Sequence, residues 1–205
     1  GLFLDHTYSP LEHLLTDIRR NREYRNRKLV RKLNDSGIGL TYEEVENHAG
    51  GNEVVGRPHF AAALVAQGVC TTHREAFTQY LGRDTGTYVS RYLPLPDEAI
   101  RIIREAGGLS IWAHPLGGKQ IIRPARIRQT ARHLKKLGLN GMEVFYSEYD
   151  REKEEVAKQI AGELHLKWSG GSDFHGANLP GFELGSGRGD LKVPDEILAD
   201  LMNEL

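Results

Sequence analysis

Cysteine is almost absent from this sequence, since Cys70 is the only one among 205 residues. A single cysteine excludes an intramolecular disulfide and favours a reducing compartment. The first residues also lack the basic and apolar regions of a secretory signal peptide. Together these absences predict a cytoplasmic protein.

Long hydrophobic runs are missing as well. Hydrophobic residues make up 39% of the sequence, and the longest apolar runs fall far short of the ~20 residues that a membrane-spanning helix needs. The phosphate-binding P-loop and the serine or cysteine nucleophile elbow are absent too. We therefore expect a soluble protein with no membrane partner, and two common groups of hydrolases and nucleotide-binding proteins are excluded.

An excess of charge of one sign is also lacking, because 27 basic residues nearly balance 28 acidic ones. The overall charge therefore does not indicate nucleic acid or membrane as a partner. One segment differs, since residues 19–32 contain eight basic residues and one acid, Glu23. Such a run is most often a solvated helix face. The alternative is a surface that attracts phosphates. Arg22 and Arg25 lie three positions apart on a helix, so their side chains could bind one phosphate together.

Two patterns of predicted secondary structure divide the chain near residues 9 and 95. Residues 10–95 are predicted to be helices joined by short turns. Strands alternate with helices in the remainder, and such alternation predicts an α/β fold with parallel strands. The predicted strands span 1–4, 109–113, 141–146 and 164–168, and the predicted helices between and after them span 96–106, 124–137, 149–163 and 194–204. We therefore expect an α/β domain of residues 1–9 and 96–205 and a helical insert subdomain of residues 10–95.

Residues that can bind a metal follow two of these strands. Asp173 and His175 come two positions apart in a glycine-rich turn after the strand 164–168, so extended backbone would send both side chains to one side. His114 follows the strand 109–113, and Pro115 biases it towards extended backbone. A carboxylate and imidazoles at the ends of buried strands suit zinc, manganese or iron. The pattern predicts one shared pocket at these strand ends.

Four motifs in order resemble the PHP family, named for polymerase and histidinol phosphatase. The motifs are Gly-Arg-Pro-His-Phe-Ala at 56–61, Ala-Gly-Gly-Leu-Ser-Ile-Trp-Ala-His-Pro at 106–115, Gly-Met-Glu-Val-Phe at 141–145 and Gly-Ser-Asp-Phe-His-Gly at 171–176. The chain is most similar to the branch that hydrolyses phosphates of nucleotides and short RNA. This resemblance implies a distorted βα barrel, similar to a TIM barrel, that carries a helical insert.

The resemblance also implies roles for particular residues. His114, Asp173 and His175 correspond to metal ligands and catalytic residues of a site that holds two or three divalent ions, manganese, zinc or iron. Arg57 and His59 correspond to residues of the insert that bind the substrate phosphate. The structural alternatives are that Asp173 caps its turn, that Arg57 pairs with an acid and that His59 fills a helix turn. Lys119 follows His114 and could reach a phosphate, although a loop lysine is normally solvated.

One part of the family pattern has no counterpart here. The family opens with a His-x-His strand and further ligands, whereas this chain opens on the apolar run Gly1-Leu2-Phe3-Leu4 without a methionine. The expectation is that the chain begins within a domain and forms an incomplete barrel. Because three ligands do not close a site for several metals, we also expect it to bind metal weakly or not at all by itself.

Three functions follow from these observations. The first is hydrolysis of a nucleotide 3′,5′-bisphosphate or a short RNA phosphate ester by metal-activated water. The second is hydrolysis of histidinol phosphate or another small phosphate ester at the same site, although the basic helical segment argues against a small substrate. The third is a non-catalytic nucleic-acid-binding fragment that lacks a complete metal site. Rates on the two substrate classes would separate the first two functions, and RNA binding without bound metal would indicate the third.

Overall fold

The computed structural model describes residues 1–50, 54–117, 123–176 and 181–205. The chain divides into two compact units, a helical unit of Glu12–Leu93 and an α/β unit that combines Gly1–Leu11 with Pro94–Leu205. The sequence pattern placed these divisions at residues 9/10 and 95/96. None of the described helices has both the length and the apolar character required to cross a membrane.

In its described part, the helical unit contains most of α1 and three further α-helices. They are α1 (Ser9–Asp35), α2 (Tyr42–Asn47), α3 (Arg57–Ala66) and α4 (His73–Ala76), and α4 continues into a π-helical turn, Phe77–Leu81. Helix α2 begins with a capping box, because the Thr41 hydroxyl accepts from the Glu44 backbone N–H while the Glu44 carboxylate accepts from the Thr41 N–H. Thr72 caps α4 in a similar way.

Apolar residues from all of these helices form the core of the helical unit. Leu33, Phe60 and Leu64 are fully buried at its centre. Val45 from the short helix α2 and Leu81 from the π-helical turn complete it. Burial of this kind contributes about 1.5–3 kcal/mol per large side chain, so tertiary packing stabilises helices that are too short to form alone.

The described residues of the α/β unit form three parallel strands and four helices. They are α5 (Pro96–Glu105), β1 (Ile111–Trp112), α6 (Pro124–Lys136), β2 (Gly141–Tyr146), α7 (Arg151–Glu163), β3 (Lys167–Gly171) and α8 (Glu196–Met202). The strand order is β1-β2-β3, with β2 in the centre. The predicted parallel α/β character is thus confirmed. Within the described residues the strands form this small open sheet, so the predicted barrel remains a prediction.

Three of the predicted strands are wrong in part. The strand predicted at 109–113 is confined to Ile111–Trp112. Residues 1–4 form a single antiparallel bridge, Leu2 to Leu109, rather than a strand. The third parallel strand begins at Lys167 instead of residue 164. His165, which adopts a positive φ of 50°, turns the chain between the end of α7 and this strand, and a residue in that conformation cannot extend a strand.

The centre of the α/β unit explains why β2 is almost entirely apolar. Met142 and Val144 are fully buried, and Ile160 of α7 packs in the same core. The strands β2 and β3 lie very close at this point, since a Cβ added at Gly141 would lie 2.6 Å from the carbonyl oxygen of Lys167.

Because the three strands are parallel, their carboxyl ends lie at one edge of the sheet. The candidate site is found at this edge.

Candidate functional site

His114 lies two residues beyond the end of β1 in an uncommon backbone conformation. Its φ is 30°, in the left-handed region. Its backbone N–H donates a 2.7 Å hydrogen bond to Oε2 of Glu143 on β2. Its ring stacks on the ring of Tyr146, with 4.9 Å between the centroids and 29° between the planes. Two residues of the neighbouring strand therefore hold His114 at the edge of the sheet.

Tyr146, the last residue of β2, connects this histidine to Asp173. The Tyr146 hydroxyl donates a 3.1 Å hydrogen bond to Oδ2 of Asp173. Burial raises the pKa of Tyr146, and the charge of Asp173 raises it further, so the phenol stays protonated and remains a donor. Asp173 itself has a φ of 53°, a second non-glycine residue in the left-handed region. His114 and Asp173 thus both contact Tyr146, the first through its ring and the second through its hydroxyl.

His175 is oriented by the backbone of Asp173. Its Nδ1 lies 2.6 Å from the carbonyl oxygen of Asp173 and 3.6 Å from Oδ1 of the same residue. A carbonyl oxygen only accepts, so Nδ1 carries a proton, and in the neutral ring the lone pair is then on Nε2. The His175 side chain is 59% exposed, against 32% for Asp173. This geometry, in which one ring nitrogen donates to a carbonyl and the other is exposed, is typical of histidines that bind metals.

The loop that carries Asp173 is attached to the neighbouring loops through Ser172. The Ser147 hydroxyl donates to the Ser172 carbonyl oxygen at 2.9 Å, and the Ser172 hydroxyl accepts from the Gly185 N–H at 3.2 Å. Ser172 is buried. The contacts of Ser172 with Ser147 and Gly185 therefore restrict the position of the next residue, Asp173.

Glu143 and Tyr146 are the members of this cluster that motif reasoning missed. Burial raises the pKa of Glu143, and the nearby charge of Asp173 adds to the shift, while the hydrogen bond from the His114 N–H opposes it. A signal was present in the sequence, because Glu143 is the single charged residue in the otherwise apolar strand Gly141–Tyr146. A half-buried acid in such a strand indicates a specific partner.

The other predicted site residues lie in the helical unit. Arg57 begins α3, and its Nη1 donates to the carbonyl oxygen of Leu81 at 3.2 Å. The Nδ1 atom of His59 accepts from the Gly56 N–H at 3.1 Å, so this ring caps its own helix. Lys119 lies outside the described residues. The roles of Arg57 and His59 in substrate binding stay predictions.

The three predicted metal ligands, His114, Asp173 and His175, do not form a complete metal site among the described residues. His114 and the Asp173/His175 couple lie at the same edge, but no group of three His, Cys, Asp or Glu residues within the described ranges is close enough to hold a metal ion. The ligand types fit a divalent metal, whereas their number and spacing here do not complete a site.

Comparisons with known proteins identify relatives of this chain. It is 32% identical to a 5′-3′ exoribonuclease of Haemophilus influenzae over 176 residues, which are 85% of this chain and 62% of that protein. It is 28% identical to a 3′,5′-nucleoside bisphosphate phosphatase of Chromobacterium violaceum over 185 residues, which are 90% of this chain and 64% of that enzyme. The chain is similar to both hydrolases over most of its own length. The predicted relationship to phosphoesterases of nucleotides and RNA is therefore confirmed.

A solved structure agrees with this relationship. A protein of Bifidobacterium adolescentis, assigned as a metal-dependent phosphoesterase, superimposes with a TM-score of 0.78 and 26% identity over 98% of this chain and 68% of that protein. None of the protein-family models matches the chain. The chain spans 62–64% of the length of the curated relatives named above.

Proposed function

We propose that the sheet edge at the carboxyl ends of β1, β2 and β3 is the hydrolytic site of a phosphoesterase that acts on nucleotides or short RNA. This part of the sheet is called the hydrolytic edge. The observation that best supports the proposal is the convergence of His114, Tyr146 and Asp173 where the parallel strands end. His114 and Asp173 both hold left-handed backbone, which costs about 1–3 kcal/mol per residue and is concentrated at active sites. Strain of this kind needs a compensating role, and a catalytic one accounts for both residues.

The relatives support the choice of substrate. One is named as an enzyme that degrades RNA from its 5′ end and another as a phosphatase of nucleoside bisphosphates. Both names describe hydrolysis of a phosphate ester on a nucleotide. A nucleoside 3′,5′-bisphosphate or a short 5′-phosphorylated RNA is therefore the proposed substrate of this protein as well.

In this proposal the residues of the chain orient the reacting groups. Tyr146 fixes the Asp173 carboxylate, Glu143 fixes the backbone of His114, and the Asp173 carbonyl oxygen binds Nδ1 of His175. A divalent metal bound at such an edge would activate water and neutralise charge on the phosphoryl group. Among the described residues, the ligands at this edge are too few to hold such an ion by themselves.

The test is an assay of hydrolysis by the complete natural protein that contains this chain. Nucleoside 3′,5′-bisphosphates, 5′-phosphorylated oligoribonucleotides and histidinol phosphate are compared with Mn²⁺ present and after removal by chelator. We expect turnover of the first two substrates, loss of activity on chelation and recovery on adding Mn²⁺. Faster turnover of histidinol phosphate would contradict the assigned substrate class.

A pair of matched variants tests the assigned edge of the sheet. Asp173→Asn removes the charge at the proposed site and should reduce kcat by at least about a hundredfold, which is within the range for loss of one catalytic group. Asp150→Asn is the control, because Asp150 caps α7 through a 2.8 Å bond to the Lys153 N–H and asparagine caps equally well. Full activity in Asp173→Asn would defeat the proposal.

A further inference from the structure

A second basic segment of the chain lies in the α/β unit. Residues 106–142 contain seven lysines and arginines and not one aspartate or glutamate. Five of the seven belong to the helix α6, and they are Arg126, Arg128, Arg132, Lys135 and Lys136. All the formal charges of this helix therefore have the same sign.

The spacing of these charges distinguishes α6 from three other helices. The helices α1, α5 and α7 each contain a salt bridge between residues four positions apart, namely Glu23–Arg27, Arg101–Glu105 and Glu154–Lys158. In α6 the same spacing joins like charges, because Arg132 lies four positions from both Arg128 and Lys136. Like charges at this spacing destabilise a helix. The charges of α6 are thus unfavourable for the helix itself, which indicates that they act on a group outside it.

Two of the five cations have partners within the protein. Nε of Arg128 lies 2.7 Å from Oε2 of Glu163 at the end of α7. The hydrogen bond from Arg128 is the main reason that the pKa of Glu163 is lowered, and Arg132 contributes least to this shift. Nζ of Lys135 donates to the carbonyl oxygen of His165 at 3.1 Å. The negative charge that α7 offers to α6 is therefore already bound by Arg128.

The other three cations form an exposed surface, which is called the basic face of α6. It consists of Arg126, Arg132 and Lys136. Their side chains make no salt bridge with any residue in the described part of the chain. Ile127 and Ala131 on the opposite side of the helix are buried in the core of the α/β unit. The core therefore fixes which side of α6 is turned to solvent.

The basic face also lacks apolar surface. No large hydrophobic side chain is exposed between residues 124 and 136, all of which the structure describes. A helix that lies in a membrane interface needs exposed apolar residues, and the centre of a protein–protein interface is rich in aromatic and apolar ones. A row of cations without such residues instead suits a hydrated polyanion.

The direction of α6 relates this face to the hydrolytic edge. The helix connects β1 to β2, and these strands are parallel, so it returns the chain from the carboxyl end of β1 to the amino end of β2. The bond from Lys135 to His165, two residues before β3, agrees with this direction. Thirteen residues at about 1.5 Å each give a helix of roughly 20 Å. Its first turn is the part nearest to the hydrolytic edge.

We propose that the basic face of α6 binds the ribose-phosphate backbone of single-stranded RNA. A strand whose end lies at the hydrolytic edge meets Arg126 first and then Arg132 and Lys136 along the helix. Contacts of this kind read phosphates and not bases, so binding is independent of sequence. The role of this RNA as substrate rests on the proposed function. Its binding to α6 does not, because the basic face provides the contacts.

A solvated helix face without a ligand is the alternative. It accounts for the exposure of the three cations. It gives no reason for like charges four positions apart, or for the absence of acids from residues 106–142. The two alternatives differ in what a neutral substitution does to RNA binding.

The first test measures binding of a labelled short oligouridylate to the 205-residue chain by fluorescence anisotropy, without added metal and at several salt concentrations. We expect saturable binding whose logarithm falls linearly with the logarithm of the salt concentration. Vesicles that contain phosphatidylserine are the second ligand. Absence of saturable RNA binding, or tighter binding to the vesicles than to RNA, would overturn the proposal.

Two double variants assign this binding to α6. Arg132→Gln/Lys136→Gln removes two cations of the basic face. Arg74→Gln/Lys192→Gln is the matched control, because these two residues are equally exposed and form no salt bridge in the ranges that the structure describes. The α6 variant should bind RNA at least about fivefold more weakly, with a salt slope smaller by about 1.4, which corresponds to two phosphate contacts on a single strand. The control should change affinity less than about twofold.

Thermal unfolding separates binding from a structural role. The α6 variant should unfold at the same or a higher temperature than the wild type, since it removes like charges four positions apart. Unchanged RNA affinity in this variant would overturn the proposal, and a lower unfolding temperature with unchanged affinity would identify the cations as structural.

Hydrolysis by the complete natural protein with Mn²⁺ provides the second test. The α6 variant should raise KM for a 5′-phosphorylated oligoribonucleotide about fivefold and leave kcat unchanged. KM for a nucleoside 3′,5′-bisphosphate should not change, because this substrate has no chain that follows α6. An equal rise for both substrates would overturn the inference. RNA binding that the α6 variant loses, in a protein that hydrolyses neither substrate, would overturn the proposed function alone. Hydrolysis of both with wild-type KM values in the α6 variant would overturn the inference alone.

Discussion

Oε2 of Glu143 accepts a 2.7 Å hydrogen bond from the backbone N–H of His114, so a side chain in the middle of β2 holds the residue beyond the end of β1. His114 has a φ of 30°, which no short-range backbone interaction favours. A contact from the neighbouring strand therefore stabilises a conformation that the local sequence would not choose. The His114 ring stacks on Tyr146 of the same strand.

Two substitutions of Glu143 distinguish the contribution of this hydrogen bond to stability from that of the carboxylate charge. Glu143→Ala should lower the free energy of unfolding by about 1 kcal/mol, because the His114 N–H loses its acceptor. Glu143→Gln keeps an oxygen at the same place and should retain most of the stability. Urea unfolding of both variants, with the exposed Glu148→Ala as control, measures the difference. Equal losses in Glu143→Ala and Glu143→Gln would show that the negative charge, and not the hydrogen bond, is what matters.

Tyr146→Phe removes the hydroxyl that binds Asp173 and keeps the ring that stacks on His114. We expect kcat of the complete protein to fall about tenfold, with KM little changed, because the carboxylate loses one oriented donor worth roughly 1.4 kcal/mol. The control is Tyr149→Phe, in which the lost oxygen accepts from the Leu116 N–H at 2.7 Å. That change should reduce stability more than kcat. A Tyr146→Phe enzyme with wild-type kcat would remove Tyr146 from the proposed site.

Glycine at position 170 is required by the packing of β3 on β2. A Cβ there would lie 2.7 Å from both the Phe145 Cβ and the Val193 Cγ2. Gly170→Ala should therefore destabilise the chain by about 1–3 kcal/mol, as overpacking does. The same substitution at Gly162, in α7, meets no atom within 4 Å and should stabilise by about 0.4–1 kcal/mol. Thermal unfolding of the two variants compares them directly, and a neutral Gly170→Ala would show that β3 can shift.

The capping box of α2 should make the stability of the helical unit depend on pH. Hydrogen bonds from the Thr41 hydroxyl and backbone, and then from Gln67, hold the pKa of Glu44 below its ordinary value of 4.5. A lowered carboxyl pKa stabilises the folded state above pH 4.5, and this stabilisation disappears as the pH falls through the folded-state pKa.

Glu44→Gln should accordingly be less stable than the wild type at pH 7, and the difference should shrink towards pH 3. The control is Glu43→Gln, since the exposed neighbouring side chain makes no hydrogen bond among the described residues. Urea unfolding at several pH values provides the measurement. A difference between Glu44→Gln and wild type that stays constant from pH 7 to pH 3 would contradict the assignment.

Much of the helical unit could be predicted because its signals are local. Thr41 with Glu44 and Thr72 with Glu75 lie three positions apart, so the sequence alone brings each pair together. The strand Gly141–Tyr146 was also predicted with its observed bounds, because its apolar run has the length and content of a buried strand. The beginning of β3 was misplaced, since a positive φ at His165 has no signature in the residue type.

The candidate site was predicted only through its motifs. His114, Asp173 and His175 could be named because each follows an apolar strand, and parallel strands end at one edge. Glu143 and Tyr146 were missed because their partners, His114 and Asp173, are 29 and 27 residues away in sequence. Contacts at such separations depend on strand register, and a β-bulge between Glu143 and Phe145 shifts that register.

By itself the sequence determined the residue types, the helix caps and the order of strands and helices, because these depend on neighbours within a few positions. The tertiary structure alone decided which distant groups share a space. Arg91 lies 66 residues from Arg25 in the sequence, yet both line one cavity in which no described residue is acidic. The sequence lists 28 acidic residues that could have paired with these arginines. Only the packing of α1 against α3 and the π-helical turn leaves them facing one another without such a partner.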